Sequence, residues 1–348
     1  MQNKKYPKLL NDYLNFSKYE ISEIDKKLIE KNKIQWITNK LFRKKFRKTK
    51  IYKNTYVDIL SKVELSVKQN TPVYFTILFG GYKHFWNCSY PNIDWAELFN
   101  LKFMSEFVAP ILAVHKPGVI LDYASEDIII TKMNNYPKQS LDEYADSFQN
   151  LINYYSKKIP KNFQINYIRT GEKYDSKLLF DKINEKLTDS KKEWNKLTNT
   201  EKKVNLKRSN RSFMFKGEID YSDLDEAEKN KLIEKSKQIE NLFYEIEDEL
   251  INGYYHEGTH IPLVLSWGLS DENFDRWLTL GSVSSSAVDF WIGRGILEIR
   301  NNKLIPRIVS RNQYKKIKKK LLKLEINLSL GENFKYLEIL EEQLKFNK

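Results

Sequence analysis

The chain has one cysteine in 348 residues, Cys88. A single thiol excludes an internal disulfide and any multi-cysteine zinc or iron–sulfur site. Cys88 reads as an ordinary turn residue, since a reactive thiol needs an electropositive pocket to lower its pKa. Histidine is scarce too, at four residues. No stretch of roughly 18 uncharged apolar residues occurs, so no membrane-spanning helix is expected. The opening "MQNKKYPKLLNDYLNF" lacks the apolar block of a secretory signal, and a cytoplasmic location follows as the expectation. With 12 glycines and 9 prolines there is no Pro- or Gly-rich linker, and no internal repeat is visible.

What is present is apolar mass and positive charge. A hydrophobic content of 41%, with aromatic residues making up 14% of the chain, is enough for a substantial core. The net charge of +13 sits at the ends: residues 1–54 carry +11 and residues 311–348 carry +5, which leaves −3 for residues 55–310. This division predicts a central domain over 55–310 flanked by basic helical extensions at 1–54 and 311–348. "LFRKKFRKTKIYK" and "YKKIKKKLLKLEINL" suit nucleic acid or an anionic surface, or equally a solvated helix face. If the extensions are accessory, trimming them leaves small-molecule binding intact.

Periodicity supplies the elements. Residues 20–47 predict one or two amphipathic helices and 55–69 another. "TPVYFTILF" (71–79) is nearly all apolar or β-branched, as in a strand covered on both faces. A long helix follows, with Ile93, Ala96, Phe99, Phe103 and Phe107 three or four apart, until Pro110 kinks or restarts it. "VILDYA" (119–124) predicts a second strand, completing a βαβ crossover. Ser140 and Glu143 suggest a capping box for a helix over 141–156. "FQINYIRT" (163–170) predicts a third strand, 175–203 a charged helix, "RSFMFKGEID" (211–220) a short strand, and 221–250 a helix. "HIPLVLSW" (260–267) returns to strand, and 295–310 forms a hairpin around Asn301 and Asn302. The sum is an α/β fold with a mixed sheet.

Two stretches carry candidate chemistry. "HEGTH", His256 to His260, matches the H-E-x-x-H zinc pattern, which needs both histidines on one helix face. Gly253, Gly258 and Pro262 do not supply that helix. A turn bringing His256 to a strand end, as acid, base or phosphate donor, fits better, and neither metal nor cofactor is expected. "GGYKHFWNCSYPNIDWAEL" (80–98) follows the carboxyl end of a buried strand and opens a helix, where open α/β sheets bind ligands. Gly80 and Gly81 permit close backbone approach. Lys83 suits a phosphate, a carboxylate or, if burial lowers its pKa, imine formation with a carbonyl. Asp94 and Glu97 lie in the first helical turn, where a helix-dipole role also explains them. Glu126 and Asp127 reach the same edge if the crossover is right-handed. Arg208 and Arg211, just before the expected strand at 211, suit bidentate anion binding.

In order, these segments resemble the pyoverdine/dityrosine biosynthesis family, which includes the isocyanide synthases. The landmarks are "ILFGGYKHFWNCSYPNIDWAELFNL" with Lys83, Pro91, Asp94 and Glu97 in register, then "KPGVILDYASED", "DEYADSF", "RSFMFKGEID" and "YYHEGTHIPLVL". They span about residues 60–310. The chain departs from the family in carrying "KHFWN" for its K-S-x-N string, in lacking a Gly after the Ser-Asp turn, and in having "SSSAVDFWIGRG" (284–295) where a T-P-W-H element belongs.

The resemblance implies a Rossmann-like transferase, with helices on both faces of its sheet, that joins an aromatic amino acid to ribulose 5-phosphate; the alternatives are a diverged transferase on the same fold and a nucleic-acid-associated protein binding through its basic termini. The sugar's carbonyl carbon becomes the isonitrile carbon. On that reading Lys83 activates the phosphate or carbonyl, Glu97 orients or acts as base, and His256 transfers protons. Arg211 holds an anion, Asp94 contacts substrate, Gly81 admits it closely, and Tyr82 and Trp86 pack its aromatic ring.

Overall fold

The computed structural model describes residues 5–46, 53–79, 92–125, 138–169, 172, 176–214, 224–250, 255, 258–265, 276–280, 293–300, 303–309 and 311–341. At its centre five parallel strands stand in the order β3-β2-β1-β4-β5: β1 is Val73–Phe79, β2 Val119–Ser125, β3 Phe163–Arg169, β4 Ile261–Leu265 and β5 Leu278–Leu280. The chain builds outward from β1 to β3, then returns to the other side of β1. The strand order therefore reverses between β1 and β4, the position at which doubly wound sheets bind ligands.

One face of this sheet presents Phe75, Ile77, Phe79, Leu121, Tyr123, Phe163 and Ile165 to α4 (Trp95–Val114) and α5 (Lys138–Ser156), in one continuous core. The opposite face places Leu78, Ala124 and Ile168 against α6 (Ser176–Lys196) and α8 (Glu226–Leu250). Helices on both faces make this a Rossmann-like α/β fold, as expected. The tight return into β2 needs Gly118, with φ +83: a Cβ there would lie 1.8 Å from the Asn162 carbonyl oxygen.

The mixed pairing lies in a second sheet, ordered β7-β6-β9-β8. The hairpin of β6 (Arg294–Arg300) and β7 (Lys303–Val309) is antiparallel, β6 pairs in parallel with β9 (Tyr336–Leu340), and β9 pairs antiparallel with β8 (Leu322–Glu325). Among the described residues 311–341, the helical expectation therefore holds only for α9 (Arg311–Ile317) and the 3-10 turns at Lys318–Lys320 and Glu332–Phe334. Leu322 and Leu324 alternate with Lys323 and Glu325, the period of a strand. The lysine run before them obscured that alternation. A second correction concerns the expected strand at 211: α7 (Asn199–Met214) runs through Arg208 and Arg211 as helix, and 215–220 lie outside the described residues. The single helix expected over 175–203 is broken at Thr198, whose hydroxyl accepts from the amide of Glu201 while Glu201 accepts from the amide of Thr198. Helix α5 begins at Lys138, so Ser140 lies inside its first turn and does not cap it.

Both basic flanks are built into the core. From α1 (Lys5–Leu14), Leu10 and Leu14 are buried, as are Trp36, Ile37 and Leu41 of α2 (Glu23–Leu41) and Phe46 just beyond it. Together with Phe334, Leu337 and Ile339 they join the same core as the parallel sheet and α3 (Lys53–Gln69). Helix α4 continues through Pro110, because the carbonyl of Glu106, deprived of its usual partner, accepts from Arg43 Nη2 at 3.2 Å, and Phe107 O accepts from the same nitrogen at 2.8 Å. Lys102, 1% exposed, donates to Asn15 O at 2.7 Å and Ser17 Oγ at 2.9 Å. Buried Phe334, Leu337 and Ile339 are each worth about 1.5–3 kcal/mol. This burial argues against the expectation that trimming the extensions leaves small-molecule binding intact.

Candidate functional site at the carboxyl edge of the parallel sheet

Helix α4 leaves the edge at its first turn, and the reason is local. Asp94 is the N-cap: its Oδ1 accepts from Ala96 N at 2.7 Å, while Glu97 Oε2 accepts from Asp94 N at 2.9 Å. This reciprocal pair satisfies amides that the helix leaves without internal partners. Unlike a surface cap, it is buried, with Asp94 at 1% and Glu97 at 0% exposure. Tyr144 of α5 donates to Glu97 Oε1 at 3.2 Å, and burial followed by the nearby Glu97 charge pushes its phenol pKa well up.

The second sheet fixes the same turn from outside. Gly295 N donates to Asp94 Oδ1 at 3.3 Å, Trp95 Nε1 donates to Tyr336 O at 2.9 Å, and Asn333 Nδ2 donates to Ile93 O at 3.0 Å. A Cβ on Gly295 would lie 2.3 Å from Ala96 N and 2.4 Å from the Trp95 carbonyl carbon, so only glycine lets β6 approach this closely. Arg294 donates to Glu338 Oε2 at 2.5 Å and stacks over Tyr314. Burial works against its charge, but Asp94 and Glu338 outweigh it and raise its pKa.

Two groups not singled out by sequence reasoning stand at or near this edge. Arg169 ends β3 and pairs with Asp142 Oδ1 at 2.6 Å; hydrogen bonding from Lys138, then from Arg169, lowers the Asp142 pKa despite some burial. Tyr123 donates to Asn100 Oδ1 at 2.8 Å. Farther down the other face, Asp122 is 1% exposed and accepts from Tyr74 OH and, at 2.7 Å, from Asn166 Nδ2. Asp122 sits mid-strand in "VILDYA", where nothing sequential signals the tyrosine and asparagine on neighbouring strands.

Of the sequence candidates, Asp94 and Glu97 meet at the helix start. Gly81, Tyr82, Lys83, Trp86 and His256 lie outside the described residues, as do Cys88, Glu126 and Asp127. Arg211 is carried on α7. The zinc pattern is not one helix: Gly258 turns the chain at φ +53, and His260 precedes β4 with its ring stacked on Tyr74 at 3.9 Å between centroids. Among the described residues no group of three His, Cys, Asp or Glu is arranged to hold a metal ion. His115 caps the far end of α4 and contacts Thr71 O at 2.7 Å, and burial lowers its pKa. No helix among the described residues is long and apolar enough to cross a membrane.

No protein-family model and no curated protein sequence matches the chain. Its fold does match a solved one. The crystal structure of the PvcA protein from Pseudomonas aeruginosa aligns with a TM-score of 0.56 over 88% of this chain and 100% of that one, at 12% sequence identity. The likeness establishes a shared fold.

Proposed function

We propose that the chain is a biosynthetic enzyme of the isocyanide-synthase type, condensing an amino acid, an aromatic one by preference, with a sugar phosphate such as ribulose 5-phosphate. The observation that carries this reading is the position of the family-like segment with Lys83, Pro91, Asp94 and Glu97. Its flanks in the described structure are β1, which ends at Phe79 next to the point where the strand order reverses, and α4, which opens at Asp94 and Glu97. The ordered sequence landmarks and the fold shared with PvcA support it independently.

The chemistry assigns the roles. Joining an amine to a ketose phosphate forms an imine and releases water, which calls for a cation at the phosphate and an acid for the departing oxygen. Lys83 and Arg211 are the proposed cations and His256 the proton donor. Glu97 is proposed to orient the site, or to act as base for the later C–C cleavage by exchanging its bond to the Asp94 amide or the Tyr144 hydroxyl for the substrate, and Asp94 holds the helix start that carries it. Tyr82 and Trp86 receive the aromatic side chain, with Gly81 leaving room for it.

Variants K83A and E97Q test the assignment. E97Q keeps an acceptor for the Asp94 amide, so the protein stays folded while turnover falls by about 10²-fold or more. Full activity in both variants would remove these residues from the mechanism.

A second reading is favoured by one observation. Lys315, Lys316, Lys318, Lys319 and Lys320 are all exposed on the second sheet's flank. Such a run suits an anionic surface, nucleic acid included, and predicts binding that weakens steeply with salt.

A further inference from the structure

Helix α2 is broken at Asn32, whose φ of −160° and ψ of 91° divide it into two arms. The elbow holds a pocket of about 320 Å³ lined by residues of α2 and Arg43 alone. Leu28 and Lys31 come from the first arm, and Gln35, Asn39, Lys40 and Arg43 line the second arm and its end.

The polar side chains here have their acceptors engaged elsewhere. Asn32 Oδ1 accepts from Gln35 N at 2.9 Å, and Asn39 Oδ1 accepts from Tyr56 OH at 2.9 Å. The carboxylate of Asp25 accepts from Tyr19 OH at 3.0 Å and from Trp36 Nε1 at 2.9 Å, and pairs with Lys40 at 2.9 Å. What remains is donors. Asn32 Nδ2 and Asn39 Nδ2 have no partner among the described residues, and Lys31 adds an exposed ammonium. Arg43 spends Nε on Lys40 O and Nη2 on Glu106 O and Phe107 O, all carbonyls, leaving Nη1 without a partner among the described residues. Among the lining side chains, Gln35 still offers an acceptor. Three cations face one carboxylate that is already satisfied.

We propose that this elbow is an anion site for a phosphate monoester, separate from the sheet edge. A phosphate dianion brings several acceptor oxygens and no donors, which complements a donor-rich wall with a guanidinium at one end. The phosphate belongs either to a soluble metabolite or to a lipid headgroup; the recognising chemistry is the same.

Calorimetric titration of the full chain at low salt with glycerol 3-phosphate, alongside sedimentation with vesicles of phosphatidylcholine with and without phosphatidic acid, tests this. N39D retains the acceptor for Tyr56 but replaces a donor by a negative charge, and is expected to weaken binding by about tenfold or more. K31E, on an exposed side chain, weakens it without touching the fold. Saturable binding of glycerol 3-phosphate that is lost in N39D supports the site and assigns a soluble ligand. Retention on phosphatidic acid vesicles alone, lost in N39D, supports it and assigns a lipid. No binding to either probe, or binding unchanged in both variants, overturns the proposal.

Discussion

The amide of Gly295 donates to the carboxylate of Asp94 at 3.3 Å, across 201 residues of sequence. The same oxygen caps α4 through Ala96 N, so one side chain rivets β6 of the second sheet to the helix that opens the candidate site. Substituting Gly295 by Ala drives a Cβ into the backbone of Trp95 and Ala96, and chemical denaturation should show a loss of roughly 2–3 kcal/mol or more. Asp94→Ala removes the cap and leaves the buried Gly295 amide unpaired, a loss of about 1–3 kcal/mol. Asp94→Asn keeps an acceptor and should lose less. Equal losses in Asn and Ala would contradict the capping account.

Arg43 and Pro110 should be energetically coupled. Pro110 removes the donor that the Glu106 carbonyl would have used, and Arg43 supplies a replacement. Arg43→Ala is expected to cost about 1.5–3 kcal/mol. Introduced into a Pro110→Ala background, where the helix regains its own N–H, it should cost less by roughly 0.5 kcal/mol or more. A double-mutant cycle by denaturation measures the difference, and strict additivity would disprove the link.

Acid should weaken the anchoring of the N-terminal helices. Burial alone would raise the Asp25 pKa, but hydrogen bonds from Lys40, Trp36, Tyr19 and the Ser22 side outweigh it and hold the carboxyl well below the usual range. A folded-state pKa below the unfolded value of about 3.9 contributes stability that is complete above that value. It is lost as pH falls through the folded pKa. Stability of the native chain should therefore decline below about pH 4 more steeply than that of D25N, followed by the unfolding midpoint.

Removing residues 311–348 should destroy the fold. The truncation strips Phe334, Leu337 and Ile339 from the core and the Tyr336 carbonyl from Trp95. A truncated chain with native near-ultraviolet dichroism and cooperative unfolding would show that the second sheet does not support the site.

Much of the fold is legible because single segments specify it. "TPVYFTILF" and "FQINYIRT" announce buried strands by composition, and Asp94 with Glu97 reads as a first-turn dipole pair where the structure makes Asp94 the cap. What was not legible depends on partners far away in sequence. Leu322 and Leu324 carry the alternation of a strand, yet pairing with β9 decides it against the helix suggested by the lysines. Pro110 reads as a break because the sequence does not reveal that Arg43 repairs it. Asp94 reads as a substrate contact or dipole partner, and its bond to Gly295 appears only once the second sheet is in place. The basic ends look accessory because charge is visible and the burial of Trp36, Phe46 and Phe334 is not.

The most direct test of the central claim is incubation of the protein with the twenty amino acids and ribulose 5-phosphate, with mass spectrometric and infrared detection of products. The account predicts an isonitrile whose carbon carries the label from ribulose 5-phosphate labelled at its carbonyl carbon. No isonitrile with any amino acid, together with no thermal stabilisation by the sugar phosphate, would contradict it.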